Sequence, residues 1–240
     1  MEKFPEKREV KKITPEEWWK KVLEQEKVML AEKGLPVPSE EETTLAYFRL
    51  KAEQEKITPE KAFESYQSDF ELSAEDLQKP LLDVGANYGA FIQYLREVLH
   101  NKMSYGVEYQ EHRVLPWREG GIVGSGVELP FVSDSFEVVV AHDYMPMFYD
   151  QDPEIREKSL MEPLRVLKRG GFFRFNISTP ESELELEDGE TEPYEYAEER
   201  YQGALSLERL LEDLKGKGYG VDKRLSARGK DRLIVTIIKQ

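Results

Sequence analysis

At 240 residues, 39% of them apolar, the chain is long enough to bury a core without crosslinks; having no cysteine, it has no disulfide, thiolate metal ligand or thiol nucleophile. A net charge of −14 disfavours nucleic acid as a partner, and no apolar run approaches the roughly 20 residues of a membrane span. The expectation is a soluble cytoplasmic protein with no membrane partner.

Residues 1–77 read as an N-terminal helical extension or cap. Thr14-Pro15-Glu16-Glu17 is a capping box with proline at the first helical position, and Ser39 with Glu42 is a second. Thr58-Pro59 and Ser73 open two shorter helical segments. The aromatic side chains Trp18, Trp19, Tyr47, Phe48, Tyr66 and Phe70 are expected to pack on a neighbouring sheet or to cap a pocket.

From Lys79 the pattern changes to short apolar runs alternating with amphipathic segments, which predicts βα units. Strands are expected near 80–84, 103–108, 121–123, 136–141, 171–177, 219–225 and 232–239, the last two as a hairpin closing one sheet edge. Helices are expected between most of them, the last capped by Ser206. The fold class is α/β: a Rossmann-like, mostly parallel seven-stranded sheet with helices on both faces, occupying residues 78–240. An acidic insertion at 181–200 holds one arginine against ten acids.

In such sheets ligands bind beyond the carboxyl ends of the strands. Asp83 to Gly89 ends the first strand, and Gly85 and Gly89 let the backbone turn sharply, as a binding loop or as a plain turn. Glu108 ends the second strand, where a carboxylate can accept from both hydroxyls of a ribose or simply be solvated; Tyr109 beside it can lie against an adenine or cover core. The third strand ends in another glycine-rich turn, and the fourth delivers His142, Asp143 and Tyr144 to the same rim.

The series DVGANYG, GVEY, VELPFVSDSFEVVVAHD and LMEPLRVLKRGGFFRF resembles the motif order of class I S-adenosylmethionine-dependent methyltransferases, by motif over roughly 78–178 and by architecture over 78–240. The resemblance implies S-adenosyl-L-methionine as cofactor. It implies Asp83, Gly85, Ala86, Asn87 and Gly89 at the methionine and ribose end, Glu108 on the ribose with Tyr109 near the adenine, and Ser125, Gly126, Val127 and Glu128 flanking the adenine. His142 would face the methyl group, as a wall residue or as a general base, since imidazole titrates near neutrality. Asn87 replaces the family's middle glycine and tolerates left-handed geometry better than most residues. Ser125 stands where an acid often meets the adenine, with Glu128 as its substitute. Asp143 with Asn176 is similar to the oxygen ligands of metal-dependent relatives, but the usual paired Asp-Asn is missing and no metal is expected.

The function expected is methyl transfer to a nitrogen or oxygen of a small molecule or a basic protein, the acidic stretch being either a solvated loop or an attractor of cations. The alternative from another class is a methyltransferase-like binding or scaffold module without catalysis. A nicotinamide dehydrogenase lacks its G-x-G-x-x-G fingerprint here.

Overall fold

The chain divides into two compact units, Met1–Lys56 and Ile57–Gln240. The computed structural model describes residues 57–114, 119–143, 152–178, 206–226 and 232–240, all in the second unit. The helices expected before residue 57, Tyr144 and the stretch 181–200 lie outside the described residues.

Helix α1, Pro59–Phe70, begins as its sequence demands: Thr58 is extended, its hydroxyl accepts from the Lys61 amide at 3.3 Å, and Pro59 needs no donor at the first helical position. Ser73 and Asp76 bond reciprocally, Ser73 Oγ accepting from the Asp76 amide and the Asp76 carboxylate from the Ser73 amide, before a 3-10 turn over Asp76–Gln78. Then follow β1 (Leu81–Val84), α2 (Ala90–Glu97), β2 (Ser104–Glu108), the single turn α3 (Glu111–Val114), β3 (Gly121–Val123) and β4 (Phe136–Ala141). Helix α4 (Pro153–Val166) starts on Asp152, whose carboxylate caps the Glu154 amide at 2.9 Å, and runs straight into β5 (Leu167–Ser178). A last helix, α5, covers 206–216 and precedes β6 (Gly220–Leu225) and β7 (Arg232–Ile238). Ser206 is already helical rather than the cap, because the helix has begun by that residue.

The seven strands lie in the order β3-β2-β1-β4-β5-β7-β6, all parallel except β7, which runs antiparallel to both β5 and β6. The hairpin closes the edge with β6 outermost. Strand order reverses between β1 and β4, so the ends of those two strands open the crevice where such sheets take ligands. Alternation divides the core between the two faces. Leu82, Val84, Val139, Ala141, Phe173 and Phe175 join Leu160, Leu164, Leu207 and Leu211 on one face. Leu81, Val138, Val140 and Ile234 meet Tyr66, Phe70, Phe91 and Leu95 on the other. Helix α1 therefore belongs to the sheet's own core. Its C-terminal carbonyls are fastened from the sheet, Arg224 donating to Asp69 O at 2.6 Å and Arg174 to Phe70 O, where the helix dipole favours cations.

The second glycine of VLKRGGFF, Gly171, has a packing reason, whereas Gly170 has open space around it and a φ of 80°. Phe136 pairs with Leu167 but Val138 with Phe172, so β5 bulges between them; a Cβ on Gly171 would lie 2.6 Å from Glu137 O and 3.1 Å from Lys168 O. Both neighbours are backbone and cannot swing away. Gly171→Ala should cost about 1–3 kcal/mol in urea unfolding, the range for overpacking.

Candidate active site

The turn after β1 depends on three left-handed residues: Gly85, Asn87 and Gly89 have φ of 75°, 52° and 69°. Asparagine accepts this geometry at the middle position, as expected of it. The turn is tied to the end of β2. The Gly85 and Ala86 amides donate to Val107 O at 2.9 and 3.1 Å, and the Asn87 amide donates to Glu108 Oε2 at 3.1 Å. Glu108 Oε1 accepts from the Gln110 amide, also at 3.1 Å, so two backbone donors fix this buried carboxylate. Tyr109 beside it is 70% exposed.

After β3, Ser125 and Glu128 pair as an isolated bridge, with the Glu128 amide on Ser125 O at 3.2 Å and the Val127 amide on Ser125 Oγ at 3.3 Å. Gly126 and Val127 form the tip; Ser125 and Glu128 are exposed. The turn is braced from α4: Glu162 accepts from the Leu129 amide at 2.9 Å, and Arg165 donates to Leu129 O and Phe131 O.

Asp83, in β1, shares the face of Leu81 and meets α1 there. Its Oδ2 accepts from the Tyr66 hydroxyl at 2.9 Å, while Oδ1 is buried with no hydrogen-bond partner among the described residues. Burial pushes its pKa up to about 7; the Tyr66 hydrogen bond and the His142 charge oppose the rise, and Glu108 adds to it.

His142, its side chain 12% exposed, lies between two carboxylates, Nε2 to Asp69 at 2.9 Å and Nδ1 to Asp143 at 3.2 Å. Burial alone would depress its pKa, but hydrogen bonds to Asp143 and Asp69 outweigh that and push it up to about 9. An imidazolium donating from both nitrogens has no lone pair with which to accept a proton. Asp143 has φ 51°; its amide donates to Asn176 Oδ1 and its carboxylate accepts from Asn176 Nδ2, both at 2.7 Å. Burial opposes its ionisation, yet the bond and charge of His142, then Arg232 and Asn176, hold its pKa down to about 2. The Asp143 and Asn176 side chains are thus bonded to each other, and among the described residues no group of three or more His, Cys, Asp or Glu could hold a metal ion. Asp69, fully buried, also accepts from the Ser226 hydroxyl and lies 3.5 Å from Arg232. Two acids and two cations, His142 and Arg232, close this cluster at the ends of β4, β5 and β7.

Residues 82–175 match the family model described as a methyltransferase domain, and that span holds the glycine turn, Glu108, the Ser125–Glu128 turn and His142. By this match residues 82–175 are a methyltransferase domain. The PH0226 protein of Pyrococcus horikoshii is similar at 17% identity and a TM-score of 0.51, covering 80% of this chain and 91% of its own. The plantazolicin methyltransferase BpumL, solved with SAH, is similar at 13% identity and a TM-score of 0.51, covering 94% and 99%. No curated protein matches the sequence.

In this domain the rim brings together Asp83, Gly85, Ala86, Asn87, Gly89 and Glu108, with His142 adjoining through Tyr66, whose ring stacks on it at 4.8 Å. The Ser125–Glu128 turn adjoins the end of β2, the Gly124 amide donating to Glu108 O at 3.1 Å. Sequence reasoning missed Asp69, Ser226 and Arg232, which come from outside the matched span. One signal for Asp69 was there: an acid in the last turn of a helix opposes the dipole and needs a tertiary partner.

Proposed function

We propose that this methyltransferase moves a methyl group from S-adenosyl-L-methionine to a nitrogen or oxygen of a small molecule or a basic protein in the cytoplasm. The observation that carries the reading is the bonded turn between β1 and β2. Asn87 and Gln110 amides hold the two oxygens of Glu108, each oxygen keeping acceptor capacity for a ribose hydroxyl, beside a glycine turn that admits close approach. Asp83 Oδ1, a buried acceptor with no partner among the described residues, fits the ammonium of the same cofactor.

The bound cofactor would supply an electrophilic methyl on a sulfonium. The chain's tasks are then to orient the acceptor and exclude water. With both its nitrogens donating to carboxylates, His142 serves in this reading as the wall residue and not as the general base, the two roles that the sequence left open; the acceptor loses its proton to solvent or arrives without one. The second reading, a binding or scaffold module without catalysis, draws on Ser125, which offers no carboxylate to an adenine amino group.

S-adenosylhomocysteine separates the two. At 100 times its dissociation constant a ligand contributes about 2.7 kcal/mol, which raises the midpoint of a domain this size by about 5–10 °C. Glu108→Ala should weaken binding roughly 100-fold, since bonds to a charged acceptor are worth about 1.5–3 kcal/mol. An unchanged midpoint at millimolar ligand would reject the donor-dependent reading in favour of the second.

A further inference from the structure

Helix α1 reaches the ends of both β1 and β4 with residues one turn apart. Tyr66 donates to Asp83 and Asp69 accepts from His142, each at 2.9 Å. The two strands are neighbours at the point where sheet order reverses, so one helix face spans both ends. Tyr66 has little freedom there. Its ring is stacked on Phe91 at 4.0 Å and on His142 at 4.8 Å, with the Phe70 edge at 5.6 Å, and its hydroxyl ends on a carboxylate whose other oxygen is buried and has no partner among the described residues.

Resting on the donor-binding reading above, we propose that Tyr66 is a positioning residue for the cationic methyl donor. By engaging one oxygen of Asp83, it orients the carboxylate and keeps it ionised, leaving the other oxygen to accept from the donor's ammonium. A buried acceptor without a partner is costly, and a cation with N–H donors is the ligand chemistry that satisfies it. The tyrosine can act as donor at every working pH. Its burial, then the Asp83 charge, raise the phenol pKa well above 10. Asp83, by contrast, stands at the edge of ionisation near neutrality. The groups bearing on it are Tyr66 from α1, His142 just past the end of β4 and Glu108 from β2; the first two favour the carboxylate form and the third opposes it. Loss of the tyrosine hydroxyl removes one of two influences that keep the site anionic.

Isothermal titration with S-adenosylhomocysteine at pH 6, 7 and 8 tests this on the full chain. Wild-type affinity should weaken toward pH 6 as Asp83 takes up a proton. Tyr66→Phe, which keeps the ring stack, should bind about 10-fold more weakly at pH 7. Its loss should grow at pH 6 and shrink at pH 8, because the Asp83 midpoint has moved up. In an Asp83→Asn background the same change should alter affinity less than about 2-fold, the mark of two residues acting as one unit. An equal loss at all three pH values would show a merely structural tyrosine and overturn the proposal, as would unchanged affinity. If the phenylalanine chain does not fold, pH-independent binding by wild type still overturns it. A wild type that binds no S-adenosylhomocysteine rejects the donor reading itself, and the role of Tyr66 with it.

Discussion

Asp69→Ala should lower stability by about 3–5 kcal/mol, the cost of removing one partner from a buried ion pair. Asp69 is fully buried and accepts from His142 Nε2 at 2.9 Å and from the Ser226 hydroxyl, with Arg232 at 3.5 Å. Burial opposes its charge, but the bonds from His142 and Ser226 and the nearby cations hold its pKa below the usual carboxylate range. The alanine chain would leave His142 charged with Asp143 alone or force it neutral, and either outcome is expensive in a site walled by Tyr66 and Phe70. At roughly 2–4 °C per kcal/mol the melting midpoint should fall by about 6–20 °C. A loss within 1 kcal/mol would mean that the cluster is not holding α1 to the strand ends.

Alkaline pH should act on the same cluster. His142 has its pKa raised to about 9 from 6.5, so between those values the folded state binds the proton more tightly than the unfolded chain. Its contribution, up to about 3 kcal/mol, is complete below pH 6.5 and gone once pH has risen through 9. Asp83 runs the same way at lower pH: with a pKa raised to about 7 from 3.8, it favours folding when protonated and costs stability as pH climbs from 3.8 to 7. Asp143 is opposite in sign. Its pKa lies at about 2, so its contribution is present above 3.8 and lost as pH falls through 2. Urea midpoints at pH 6, 7.5 and 9 should therefore fall steadily for wild type. His142→Gln should be less stable at pH 6 and should fall less than wild type between pH 7.5 and 9; an equal slope over that range in both chains would place the titrating group elsewhere.

Much of the domain is legible in the amino-acid sequence. Largely apolar runs such as LLDV and FEVVVA, each with one acid, become buried parallel strands because both faces are covered. The Thr58-Pro59 start and the glycines of DVGANYG carry their backbone geometry locally, which is why α1 and the left-handed turn were readable. The extent of β5 was not: it begins at Leu167, directly on the end of α4, through a bulge that pairing with β4 creates.

The site divides along the same line. Residue type and spacing determined which side chains reach the rim, because strand periodicity places Asp83, Glu108 and His142 at successive carboxyl ends. What those side chains do was decided by contacts between residues far apart in the chain. His142 is an imidazolium because Asp69, 73 positions earlier, and Asp143 both accept from it. Asp83 is half-titrated near neutrality because it is buried against Tyr66. Charge state depends on desolvation and on neighbouring charges within a few ångströms, and only the folded chain creates either.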